Sequence, residues 1–229
     1  MDFNTLKPED YLIPKSERVP VEELCGEENV LNSPIIEKAF RKILEEYKPK
    51  NDYVIFSLCT HTRPYIKSRK WEMLDKCFGE TCDLIVCSNG GIIPLEYMCC
   101  YPYLTYDAPH VPSGKYDELY CNIFERRLRE FLNKNSWKKC IFLFIPDSRN
   151  YKRLKLIEED FNNWLVLPTP EGYKRTIDLE DLFIGIPRKT FGVCGVDTLL
   201  AIESEVGHST YLHQRIENYT KPKKIKKLF

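Results

Sequence analysis

The sequence has no surplus of charge. Its 34 lysines and arginines balance 34 aspartates and glutamates, which excludes a globally basic coat for nucleic acid and leaves room only for a local basic patch. Histidine is scarce, with four residues, and none of the ten cysteines belongs to a C-x-x-C pair. Cys77, Cys82 and Cys87 are five apart and Cys99 adjoins Cys100. Neither spacing is that of a zinc site, so no metal and no cofactor are expected. Long apolar runs are missing as well. The longest, Cys140–Ile145, falls far short of the roughly 20 residues that span a bilayer. Met1-Asp2-Phe3-Asn4 has neither the basic nor the apolar part of a secretory leader. The expectation is a cytoplasmic chain with reduced thiols and no membrane contact.

What is present is ordinary globular composition. Hydrophobic residues make up 43% and charged residues 30% of 229, enough for one large domain that buries its own core. Residues 1–30 mix charges and prolines without periodicity and read as an extended arm. Ser33-Pro34 opens a helix whose apolar positions run from Ile36 to Tyr47. β-rich runs at Tyr53–Leu58, Asp83–Ser88, Cys140–Ile145 and Trp164–Leu167 predict buried strands, and Tyr103–Tyr106 a weaker one. Helical periodicity fills the gaps near 68–78, 115–133 and 147–161. Strands alternating with helices predict an α/β fold, a mainly parallel sheet flanked by helices on both faces. The core is expected over 31–168 and a C-terminal extension packed on it over 169–220. That extension holds a short helix near Asp178–Phe183, a glycine-rich Gly192–Gly195 and a helix near 196–206. The tail 221–229 is basic, with Lys223, Lys224, Lys226 and Lys227 offering weak affinity for RNA phosphates.

Ligands of a parallel sheet bind beyond the carboxyl ends of its strands, where three polar loops are expected. The first is Cys59–Ser68. A cysteine near His61 and Arg63 has cations to favour its thiolate, which attacks nitriles and carbonyls; the plainer reading is a small buried residue. Arg63 suits a bidentate grip on phosphate or carboxylate, or a surface salt bridge. Tyr65 suits stacking on a base or core packing. Ser68 suits a phosphate at a helix start or plain N-capping. In the second loop, Asn89-Gly90-Gly91 allows a tight turn with exposed N–H groups near an anion or base edge. The third holds Asp107, a general base or ammonium holder, or else a loop cap. His61 and His110 read as structural, and His208 and His213 as surface residues.

These loops, in this order, resemble archaeosine synthase. Leu58-Cys59-Thr60-His61-Thr62-Arg63-Pro64-Tyr65-Ile66-Lys67-Ser68 is similar to that family's signature of Pro-Cys, three residues, Lys-Pro-Tyr, two residues and Ser. Ile85–Pro94 with Glu96, Tyr101-Pro102 and Tyr106-Asp107-Ala108-Pro109 resemble further elements of it. The resemblance covers roughly 35–165 and implies a fold like that of uracil-DNA glycosylases, which accept an extruded base in a pocket. It implies an activity too: attachment of lysine to the nitrile of 7-cyano-7-deazaguanine in tRNA. Cys59 and Asp107 would be catalytic, and Arg63, Tyr65, Ser68, Asn89, Gly90 and Gly91 would bind substrate. tRNA and free lysine would be the partners.

This chain departs from the pattern. Leu58 stands for the proline, Arg63 for the lysine and Trp71 for a histidine three residues after the serine. The transglycosylase-like and RNA-binding parts of the full synthases are not found in these 229 residues. The expected enzyme is a free-standing module or the catalytic part of a split enzyme that works with a separate RNA-binding or transglycosylase-like subunit. The alternative is a non-catalytic nucleic-acid or nucleotide-binding paralogue that kept the pocket. A base glycosylase is a weaker third reading, since it rests on fold analogy alone.

Overall fold

The structure, a computed structural model, describes residues 6–109, 111, 113–171, 173 and 192–220. The helix expected near Asp178–Phe183, His110 and the four tail lysines lie outside the described residues. Five strands form one sheet: β1 (Tyr53–Leu58), β2 (Cys82–Ser88), β3 (Gly91–Pro94), β4 (Lys139–Leu143) and β5 (Trp164–Leu167), in the order β3-β2-β1-β4-β5. β2, β1, β4 and β5 are parallel and β3 pairs antiparallel with β2. This is the α/β class the alternating pattern predicts.

The helices follow from the connections. α1 is Glu27–Leu31, α2 Pro34–Glu46, α3 Arg69–Phe78, α4 Asp117–Lys134 and α5 Arg149–Ile157, and α6 (Val196–Val206) and α7 (Thr210–Thr220) come last. Parallel strands need crossovers, and right-handed ones put α3, which leads from β1 to β2, on one face. α4 and α5 lead the other way along the sheet and cover the opposite face. The packing agrees: α4 touches α2 and α5, while α3 packs on α7. No described helix is long and apolar enough to cross a membrane.

Serine caps set the helix starts. Ser33, Ser68 and Ser148 accept hydrogen bonds from the backbone N–H of Ile36, Trp71 and Tyr151, satisfying donors that the first turn leaves open. On α3, Trp71, Leu74 and Phe78 are buried, the helical spacing expected. Beneath α4 lies an aromatic layer in which Phe56 stacks on Phe142 at 4.8 Å and Phe131 on Trp137 at 5.9 Å. The Trp137 indole N–H donates to Asp83 at 2.8 Å, which lets both polar groups be buried.

Two local expectations fail. Tyr103–Tyr106 is not a strand but part of a series of turns. Pro102 has no N–H for a ladder, and its carbonyl instead accepts from Thr105 and Tyr106. One edge of the sheet is β3, which follows β2 directly through Asn89-Gly90. What read as an open glycine loop is the connection of a β-hairpin, a pairing that Asn-Gly before an apolar run signals. After β3 comes a 3₁₀ turn, Leu95–Tyr97. In the C-terminal part, α7 was not anticipated.

The arm lies on the core in short turns, and its first α-helix begins at Glu27. Leu12, Ile13 and Leu24 are buried. Asp107 N–H donates to the Leu24 carbonyl and Gly26 N–H to the Asp107 carbonyl, so the arm fixes the third loop.

Candidate active site

The carboxyl ends of β1, β2 and β4 open on a cavity of about 670 Å³, within the range of small-molecule sites. Cys59, His61 and Arg63 line it from the loop after β1, Asn89 from the hairpin, and Asp107 from the third loop. Ser148 and Arg149 enter from the start of α5, and Lys70 from α3.

The other expected substrate-binding residues sit elsewhere. Ser68 is buried as the cap of α3. Tyr65 is fully buried, its hydroxyl 2.5 Å from that of Tyr106. Gly90 and Gly91 are buried in the hairpin. A Cβ at Gly90 would come within 2.9 Å of the Tyr106 ring, and Gly91 has φ +125° beside Arg127. These four residues shape the wall behind the cavity and do not line it. Trp71, at the family's histidine position, is likewise core.

Arg63 is held by both loops. Its guanidinium lies 4.4 Å from the centre of the Tyr65 ring and 4.8 Å from that of Tyr106, and it donates to the Thr60 carbonyl. Such stacking fixes a cation without neutralising it. The Arg63 Nε–H is buried without a hydrogen-bond partner.

Lys70 lies in the first turn of α3, outside the residues the sequence pattern singles out. It is 4% exposed, and its ammonium donates to the carbonyl of Leu58, the residue before Cys59. Burial pushes its pKa down, against the pull of Cys194, Cys59 and Cys87. Burial also pushes the Cys59 thiol up, although Arg63 and Lys70 draw it the other way. In the free site a neutral thiol therefore sits near an ammonium whose charge burial disfavours. Burial foremost pushes the Tyr106 hydroxyl up to about 12, so Tyr106 stays neutral.

Arg149 organises the opposite wall. It pairs with Glu27 at 2.6 Å and Asp117 at 2.8 Å, and donates to the Asn89 side-chain oxygen at 2.8 Å. Its guanidinium stacks on Tyr120 at 3.6 Å. Asn89 in turn donates to the Ala108 carbonyl at 2.8 Å. One network thus ties α1, the hairpin, the third loop, α4 and α5 around the cavity. Asp147, beside it, adopts φ 67°, a conformation that a non-glycine residue holds only at some cost. Arg149 had a usable signal, since it opens a helix just past a strand end. Lys70 had none, because its burial depends on distant residues.

Fold and cavity define an α/β protein with a pocket at the carboxyl edge of its sheet. The chain belongs to the family described as a domain of unknown function, DUF5591, whose model matches residues 36–165. Among solved structures it is similar to AF0587, a protein of unknown function, with a TM-score of 0.51 and 17% identity over 79% of this chain and 54% of that one. At that identity the likeness concerns the fold alone, and this chain spans about half the length of that structure. No curated protein matches it.

Proposed function

We propose that this chain modifies tRNA by attaching lysine to 7-cyano-7-deazaguanine, alone or as the catalytic part of a split enzyme in the cytoplasm. The observation that carries the proposal is the meeting of Cys59, Arg63, Lys70 and Asp107 on one cavity large enough for an extruded base. A uracil-DNA-glycosylase-like pocket is part of the same proposal, supported by the position of the cavity at the carboxyl edge of the sheet.

The chemistry uses groups already present and needs no cofactor. In its neutral form, which burial favours, Lys70 takes the proton of the Cys59 thiol. The sulfur adds to the nitrile carbon; a C–S bond forms, the π pair moves to nitrogen, and that nitrogen takes a proton to give a thioimidate. The amine of free lysine then adds to the same carbon. The C–S bond breaks, the sulfur leaves as a thiolate and recovers its proton, and an amidine remains. Asp107, exposed at the rim, holds the incoming ammonium or accepts its proton. Arg63 faces the base or its phosphate.

A second reading, a binding module without catalysis, is favoured by Trp71 in the core at the histidine position and by a Cys59 thiol that burial keeps protonated. Mass spectrometry of tRNA carrying 7-cyano-7-deazaguanine, incubated with lysine and either wild type or Cys59→Ala, decides between them. A lysine-sized gain that requires Cys59 supports transfer. A gain only when cell extract is added supports a split enzyme. No gain in any tube, with tRNA still bound, leaves the binding module.

A further inference from the structure

The end of α6 and the start of α7 bring together residues the cavity does not use. Gly207 closes α6 with φ +103° and donates its N–H to the Glu203 carbonyl at 2.9 Å. That turn, which a side chain would resist, carries His208 back over the helix end. Ser209 then caps α7 through the Leu212 N–H, and the first turn of that helix presents His213. Both imidazoles reach Glu203: His208 Nδ1 lies 3.2 Å from Oε1 and His213 Nε2 2.9 Å from Oε2. The ring centres are 4.6 Å apart.

We propose that Glu203, His208 and His213 form a three-ligand site for a divalent transition metal, with zinc the fitting ion. Two imidazoles and a carboxylate are a ligand set that zinc takes, the remaining position going to water. Zinc bonds of about 2.0–2.2 Å at tetrahedral angles put ligand atoms roughly 3.3–3.4 Å apart. Each histidine nitrogen already lies near that distance from one of the two carboxylate oxygens. The three ligand atoms all lie within 4.8 Å of one another, so the two nitrogens close by at most about 1.5 Å, a movement the solvent-facing rings can make. The Ser209 N–H also donates to Glu203 Oε1 at 2.6 Å, which orients the carboxylate between the two rings and leaves lone pairs for a cation. Bound metal would clip α7 to α6, and α7 packs on α3, the helix that carries Lys70.

The test uses the full chain, reduced and stripped of metal. Zinc is added in excess, free ion is removed by gel filtration, and bound metal is counted by elemental mass spectrometry. Cobalt substitution reports the ligand type, because thiolate ligands add intense near-ultraviolet charge-transfer bands that nitrogen and oxygen ligands lack. The expected result is one retained zinc, a cobalt spectrum without thiolate bands and a zinc-dependent rise in melting temperature. Glu203→Gln and the double change His208→Ala/His213→Ala should each weaken binding at least tenfold and abolish that rise, with the circular dichroism spectrum unchanged. No retained zinc overturns the proposal. So does equal retention by the variants, or a thiolate spectrum, either of which would place the metal on the cysteines.

Discussion

Tyr65 and Tyr106 join hydroxyl to hydroxyl at 2.5 Å across 41 residues of chain. Between them they carry the Arg63 guanidinium on their rings. The first loop and the third, far apart in sequence, are thereby one wall.

The two hydroxyls are not equivalent. Tyr106 also bonds Ser88, so it keeps a partner when Tyr65 loses its oxygen. Tyr106→Phe should cost about 1–3 kcal/mol because it strands the buried Tyr65 hydroxyl, and Tyr65→Phe should cost less. The double variant should cost less than the sum of the singles. Urea unfolding of the cycle measures this, and strict additivity would show that the pair is not coupled.

Cys59 should be a slow thiol in the free protein. Near neutral pH, iodoacetamide should modify the exposed Cys25 about tenfold or more faster than Cys59, since only the thiolate reacts. Arg63→Met should slow Cys59 further, because it removes a charge that favours the thiolate. Peptide mapping of the labelled sites gives both rates. A Cys59 that outpaces Cys25 would contradict the burial effect.

Acid should weaken the junction of α2 and α4 at Glu37. Burial raises the pKa of this carboxyl, but hydrogen bonds from Arg126, Arg41 and Arg127 and the charge of Arg127 outweigh that and hold it at about 2, against an ordinary 4.5. Its folded pKa is depressed, so its contribution is complete above pH 4.5 and is lost as pH falls towards about 2. Glu37→Gln should cost about 1–2 kcal/mol at neutral pH, the linkage value being discounted for solvent screening of a part-exposed side chain. The gap between wild type and variant should close across that acid window. Melting temperatures measured against pH check it, and a gap independent of pH would remove the charge from the account.

Lys70 should show a dependence of the same sign in the alkaline range. Burial lowers its folded pKa below the ordinary 10.5, so the charged form opposes folding at neutral pH and that penalty fades as pH rises towards 10.5. Lys70→Met also removes the bond to the Leu58 carbonyl, and the two effects should leave stability within about 1 kcal/mol of wild type at pH 7. With rising pH the wild type should gain on the variant. If the proposed reaction occurs, Lys70→Met should abolish it while tRNA binding survives. Full activity in this variant would assign proton removal to another group.

Much of the fold was legible because it rests on local rules. The runs of β1, β2, β4 and β5, and the serine caps of α2 and α3, are set within a few residues of chain. Tyr103–Tyr106 misled because its composition suits a strand while Pro102 diverts the backbone into turns. The hairpin at Asn89-Gly90 was missed because two glycines were weighed as an anion-binding loop and not as a strand connection.

The sequence by itself determined the class of fold, four of its five strands and the helices that join them, all of which follow from short-range periodicity and capping. Only the tertiary structure decided which loop residues meet the cavity. It turned Tyr65, Ser68, Gly90 and Gly91 into its backing, and it drew in Lys70, Arg149 and Tyr106. It also folded His208 and His213, which read as plain surface residues, onto one carboxylate. The reason is physical: burial, pairing of charges and a shift in pKa depend on atoms brought close from distant parts of the chain, and no local pattern carries that distance.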